Sequence, residues 1–167
     1  MKESKEPLAK FHASINAKGQ IVIPKKDREF LGLDKDDVVE VIVRKVLKSE
    51  SKLVITGVAY VMAKLSSKGL ITIPQEVREE LGITQDSIIE VLLVGFHKFD
   101  DLVSPKGKSL LSKLTHKPFR IITADEESKL IEKSKSYYTT TQILRVPEER
   151  YIAYKEPITL VRAMANE

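Results

Sequence analysis

Two pairs of cations recur at a spacing of fifty residues, Lys18 with Lys68 and Arg28 with Arg78. Side chains of this kind neutralise phosphate oxygens, and an arginine fork also reads the edge of guanine in a duplex groove. Gln20, Lys25 and Lys26 lie beside the first pair, and an amide such as Gln20 can pair with adenine. For catalysis the sequence offers far less. His12, His97 and His116 are widely separated and show no HExxH spacing, and no GxSxG turn, Walker loop or dinucleotide glycine pattern occurs. The absence of Cys removes disulfide scaffolds, thiolate zinc sites, iron–sulfur clusters and cysteine nucleophiles. A non-enzyme without cofactor or metal is therefore expected.

The elements that position these residues follow from an internal repeat. Residues 11–46 align without a gap to residues 61–96, and thirteen of the 36 pairs are identical. Among them are Lys18/Lys68, Gly19/Gly69, Pro24/Pro74, Arg28/Arg78, Gly32/Gly82 and Glu40/Glu90. Each copy predicts a strand (Phe11–Asn16, Val61–Ser66) and a Lys-Gly turn suited to a tight hairpin, then a second strand (Gln20–Ile23, Leu70–Ile73). Pro24 or Pro74 opens a short helix, Gly32 or Gly82 caps it, and an apolar strand covered on both faces follows (Val38–Val46, Ile88–Phe96). One copy of about 36 residues is too small to enclose a core alone, so the two are expected to complete each other.

The combination KGxIxIPxxxREx-LG resembles the AbrB/SpoVT/MazE swapped-hairpin family across both repeats. That resemblance implies a mainly β, α+β chain whose tandem motifs form an intramolecular pseudo-dimeric β-barrel over 11–99. It also implies double-stranded DNA as the partner, bound on a basic face, and a role as transcriptional regulator or antitoxin. Lys18, Lys68, Arg28 and Arg78 fall where the family places basic residues near DNA. The position after the turn glycine, commonly Arg in the family, is Gln20 in one copy and Leu70 in the other.

Charge separates the two copies. Lys18, Lys25, Lys26, Arg28, Lys35, Arg44 and Lys45 stand against six acids in the first, giving +1, whereas Lys64, Lys68 and Arg78 stand against five in the second, giving −2. Lys25 and Lys26 fall in a first helical turn, which the macrodipole disfavours by roughly 0.3–1 kcal/mol each, a placement that a nearby phosphate would offset. The first copy is therefore expected to make the stronger backbone contacts. The plainer alternative, a solvated face, applies to Lys25, Lys26 and Lys35 taken singly. Glu40 and Glu90 are expected to serve structure, satisfying a buried Lys or backbone group.

Residues 1–10 read as a tail and 100–117 as a basic linker with a short helix near Ser109–Leu114. Between Leu102 and Ala124, Lys106, Lys108, Lys113, Lys117 and Arg120 meet no acid, so the stretch is either a solvated connector or a phosphate-contacting arm. Residues 118–167 read as a small α+β domain. Its parts are a strand at Pro118–Thr123, a helix opened by the Thr123–Glu126 capping box and running to about Ser134, and strands at Tyr137–Val146, Arg150–Lys155 and Ile158–Met164. Tyr137, Tyr138, Tyr151 and Tyr154 form either sheet packing or a partner surface.

The 167 residues carry 28 Lys+Arg against 24 Asp+Glu, a net charge of +4, and 42% are hydrophobic, a globular balance rather than that of a polycation. No apolar run reaches the roughly 20 residues of a membrane span, so a cytoplasmic protein without membrane contact is expected. The function expected is sequence-preferring DNA binding with homo-oligomerisation through the C-terminal domain. The alternatives are an antitoxin-like or other interaction module in which that domain grips a partner protein, and a barrel that has become purely structural.

Overall fold

The computed structural model describes residues 6–137. The strands expected beyond Tyr137, together with Tyr138, Tyr151, Tyr154 and the oligomerisation assigned to that region, lie outside the described residues.

Both repeats build the same elements. The first gives β1 (Ala9–Ser14), β2 (Gln20–Val22), α1 (Lys25–Leu31) and β3 (Val38–Ser49); the second gives β4 (Lys52–Lys64), β5 (Leu70–Thr72), α2 (Gln75–Leu81) and β6 (Ile88–His97). Gly32 and Gly82 both adopt φ 67°, the left-handed cap expected of them. Pro24 and Pro74 sit one position earlier than expected, at the cap itself with ψ 138° and 146°, because each still belongs to the extended chain leaving β2 or β5.

The strands pair between repeats. β1 lies antiparallel to β6 and β2 to β5, with Ile21 opposite Ile71, so the Lys-Gly turn does not close a hairpin between β1 and β2. The physical reason is burial: exchanging strands places the apolar faces of both copies over one core. A five-stranded sheet results, in the order β1-β6-β3-β4-β7, alongside a separate two-stranded ribbon β2-β5, and among the described residues no closed barrel forms. The fold is mixed α+β with antiparallel pairing.

β3 and β4 extend past the repeats into a long hairpin around Glu50 (φ 55°), with Leu47, Leu53, Val54 and Ile55 exposed along it. At the other end, β1 starts at Ala9, inside the stretch expected to be a tail, and the Leu8 amide donates to the Leu93 carbonyl at 2.9 Å.

Side-chain alternation explains why β3 and β6 are nearly all apolar. Val39, Val41 and Val43 of β3, with Val91 and Leu93 of β6, face a core shared with Ile21, Ile23, Ile71 and Ile73. Val38, Ile42, Leu92 and Val94 face the opposite way. That second face is covered by α3 (Phe99–Leu102), α4 (Lys108–His116) and α5 (Ala124–Lys133), through Leu102, Leu110, Leu114 and Ile131. β7 (Phe119–Ile121) joins the sheet against β4, so the described part of 118–137 packs on the repeats rather than apart from them. Thr123 caps α5 as expected, its Oγ1 accepting from the Glu126 amide at 3.3 Å, whereas Tyr137, expected to open a strand, ends a helical turn at Ser134–Tyr137. Among the described residues no helix is long and apolar enough to cross a membrane.

Candidate nucleic-acid interface

Each Lys-Gly turn is held by a short polar side chain two residues before the lysine. Asn16 Oδ1 accepts from the amides of Lys18 (3.0 Å) and Gln20 (2.9 Å); Ser66 Oγ does the same for Lys68 (3.3 Å) and Leu70 (3.0 Å). This Asx-type geometry leaves both lysine side chains exposed at the turn tips. Gly19 and Gly69 each adopt φ 78°.

The turns are welded to the opposite repeat. The Ile73 amide donates to the Gly19 carbonyl at 2.8 Å, and Ile23 to Gly69 at 2.9 Å. Arg78 Nε donates to the Ile73 carbonyl (3.0 Å) and its guanidinium lies where a Gly19 side chain would be; Arg28 does the same with Ile23 (2.9 Å) and Gly69. The recurrence of these arginines thus has a packing explanation that the repeat alone did not supply. Both are half-buried clamps.

One consequence concerns which charges share a neighbourhood. The turn carrying Lys68 abuts the start of α1, which bears Lys25 and Lys26, while the turn carrying Lys18 abuts α2, which opens with Gln75 and Glu76. The basic lobe therefore combines the turn of one repeat with the helix of the other. Lys25 reaches Glu29 at 3.8 Å, whereas Lys18, Lys26 and Lys68 form no salt bridge among the described residues. The outward face of the β2-β5 ribbon presents Gln20 beside Thr72 and Val22 beside Leu70. The Gln20 side chain is engaged with Asn16 at 3.2 Å.

Three polar clusters lie on or beside the second face of the sheet. Glu90 meets Arg44 at 2.6 Å, and Arg44 also contacts Glu127 of α5. The carboxylate of Glu40 accepts from the Tyr60 hydroxyl and meets His97 Nε2 at 2.8 Å. Among the described residues neither glutamate hydrogen-bonds a backbone group; Lys10 stands 3.9 Å from Glu90 and Lys133 acts on Glu40 only at longer range, both lysines exposed, so the close partners are Arg, Tyr and His instead of the buried Lys expected. Burial opposes the charge of Glu40, but the His97 and Tyr60 hydrogen bonds outweigh it and leave its pKa below the ordinary carboxylate range. Burial and the Glu40 bond together hold Tyr60 protonated far above neutral pH.

The third cluster closes the first repeat. Buried Asp37 accepts from the amides of Asp34 and Phe99 (both 2.8 Å) and from Lys98 Nζ at 2.5 Å; Lys98 also reaches the Gly32 carbonyl, where a cation suits a helix C-terminus. Burial raises the Asp37 pKa, yet these donors lower it below its ordinary value. A depressed carboxylate pKa contributes stability that is complete above about pH 4 and is lost as pH falls toward the folded value. Asp37→Asn is accordingly expected to cost about 2 kcal/mol at pH 7 and clearly less at pH 3, in urea titrations at both pH values. An equal cost at both would separate Asp37 from the acid limb.

No protein-family model matches the chain, and no curated protein matches it. The chain is similar to a protein of known structure, described as the solution structure of PHS018 from Pyrococcus horikoshii, with 32% identity and a TM-score of 0.48. The match covers 56% of this chain and 96% of that one.

Proposed function

We propose that this protein binds double-stranded DNA with sequence preference, as a transcriptional regulator, through the turns and helix starts of the two repeats. On this reading 11–99 is an intramolecular pseudo-dimer of swapped hairpins wrapped in a barrel-like unit, as the resemblance to AbrB/SpoVT/MazE proteins implies. The cross-repeat pairing and the single core shared by both copies support it. The observation that carries the proposal is the presentation of Lys18 and Lys68 on two rigid turns, exposed and free of salt bridges among the described residues, with Lys25 and Lys26 beside the second turn. Phosphate contacts from these lysines supply most of the affinity, and the ribbon face with Gln20, Val22, Leu70 and Thr72 meets base edges. Arg28 and Arg78 act by holding the turns.

Binding to mixed duplex DNA across a salt series tests this. Wild type is expected to show a log–log slope of several units, and Lys18→Ala/Lys26→Ala/Lys68→Ala a slope shallower by about two to three with the arginine clamps intact. Failure of wild type to bind at low salt rejects the proposal. Within that assay, Lys25→Glu is expected to weaken binding more than Gln75→Glu, because only the former inverts charge within the basic lobe; equal losses would reject that division of labour. The exposed apolar hairpin residues Leu47, Leu53, Val54 and Ile55 favour a second reading, an antitoxin-like or other protein-interaction module. Co-purification of a stoichiometric protein partner would establish it.

A further inference from the structure

The covered face of the sheet retains an opening. Glu40, Tyr60, Met62 and His97 form the floor of a cavity of about 270 Å³ whose walls come from α4, β7 and α5. Among the described residues four cations line it: Lys113 and Lys117 from the end of α4, Arg120 from β7 and Lys133 from α5. Among the described residues the one carboxylate in the lining is Glu40, and both of its oxygens are engaged, one by the Tyr60 hydroxyl and one by His97. Arg120 stacks over the Tyr60 ring at 4.9 Å and reaches Glu126 at 3.7 Å, and Lys117 lies 5.9 Å from the Phe119 ring centre. Lys113 and Lys133 form no salt bridge among the described residues. Between the cations the wall is apolar, made by Leu110 and Leu130 over Met62.

Cations concentrated over a pocket whose own acid is already satisfied select negative charge, and the apolar wall rewards a ligand that carries a hydrocarbon surface. We propose that this cavity binds a small amphipathic anion, with its charged head among Lys113, Lys117, Arg120 and Lys133 and its apolar body against Leu110 and Leu130. The volume is near the small end of ligand sites and suits a single-ring compound better than a nucleotide. The site lies on the face of the sheet away from the β2-β5 ribbon, and the proposal stands independently of DNA binding. It also gives the acid-free stretch from Leu102 to Ala124 a role as one wall of a pocket.

Calorimetric titration of the full chain with phenyl phosphate, benzoate and inorganic phosphate tests the assignment. Phenyl phosphate is expected to bind at least tenfold more tightly than inorganic phosphate, because only it uses the apolar wall. Benzoate binding comparably to phenyl phosphate identifies a carboxylate head, and benzoate binding more weakly identifies a phosphate head. Lys113→Ala/Lys133→Ala is expected to weaken the preferred ring compound at least tenfold while the thermal midpoint stays within a few degrees, since both side chains are exposed. In a proton NMR titration the His97 ring signals are expected to move with the preferred compound in wild type only. The proposal is overturned if neither ring compound binds at 10 mM, if the double variant binds as wild type does, or if inorganic phosphate binds as tightly as both. It is also overturned if the double variant loses duplex DNA affinity by the same factor, which would assign these cations to a nucleic-acid surface.

Discussion

Gly19→Ala is expected to destabilise the protein by about 2–4 kcal/mol, and most of that cost is expected to disappear when Arg78 is also removed. Two effects add at this position. A residue with a Cβ at φ 78° incurs about 1 kcal/mol of backbone strain. The new Cβ would also lie 2.6 Å from Arg78 Cζ and 2.7 Å from Nε. The end of a free arginine would simply swing away, but this one is held by the Ile73 carbonyl at 3.0 Å, so moving it breaks a half-buried charged hydrogen bond at the junction of β5 and α2. In an Arg78→Ala background the steric part vanishes and Gly19→Ala should cost only about 1 kcal/mol, giving a coupling of about 1–2 kcal/mol between residues in different repeats. Gly32→Ala is the internal control. Its φ is 67°, yet nothing lies within 4 Å of the added carbon, so it reports strain alone. Urea denaturation of the five proteins measures all these terms. A Gly19→Ala cost equal to that of Gly32→Ala, or unchanged by removing Arg78, would show that the clamp does not tie one repeat to the other.

The clamp marks where sequence reasoning reaches its limit. The turns, helix caps and apolar alternation are local, so the order of elements in both repeats can be read from spacing, and Lys18 and Lys68 fall at exposed turn tips for the same reason. Arg28 and Arg78 bond a carbonyl five residues back, but their second contact is not local: each lies against a glycine of the other repeat, and only the strand exchange reveals it. The repeat also misleads in one respect, because identical residues acquire different partners. Glu40 meets Tyr60 and His97, whereas Glu90 meets Arg44, which has Val94 as its counterpart in the second copy. The asymmetry arises because the partners are not themselves repeated: fifty residues before Tyr60 and His97 stand Lys10 and Leu47. The hairpin extension of β3 and β4 lies between the repeats and so left no trace in the alignment. Of the pocket, only the acid-free run through Lys113, Lys117 and Arg120 was visible; the distant Glu40, Tyr60, His97 and Lys133 complete it by topology.

That asymmetry places a second vulnerable point at Arg44, and Arg44→Met is expected to be among the most damaging single changes outside the apolar core. Arg44 Nη1 meets Glu90 Oε1 at 2.6 Å, and Nη2 contacts Glu127, with all three side chains no more than 15% exposed. The guanidinium is the bridge that lets α5 lie over β3 and β6 with two carboxylates beneath it. Methionine fills much of the same volume, so the change tests charge rather than packing. Removing one member of such a group leaves the others buried without compensation, a loss of about 3–5 kcal/mol. Lys10 and His12 stand near Glu90 at 3.9 and 3.2 Å but are half exposed and offer nothing to Glu127. Replacing Glu127 by Gln in the Arg44→Met protein removes one of the stranded charges while keeping its shape, and is expected to restore about half of the lost stability. Met together with Gln at both glutamates should restore more, since an uncharged cluster of similar volume escapes most of the desolvation penalty. Buried Arg44 Nε, which has no hydrogen-bond partner among the described residues, already records an imperfectly satisfied network, so the recovery can approach the wild-type value. Thermal and urea unfolding of the series decide the matter: a single-variant loss under 1 kcal/mol, or no recovery when the carboxylates are neutralised, would show that α5 is held by its apolar contacts alone.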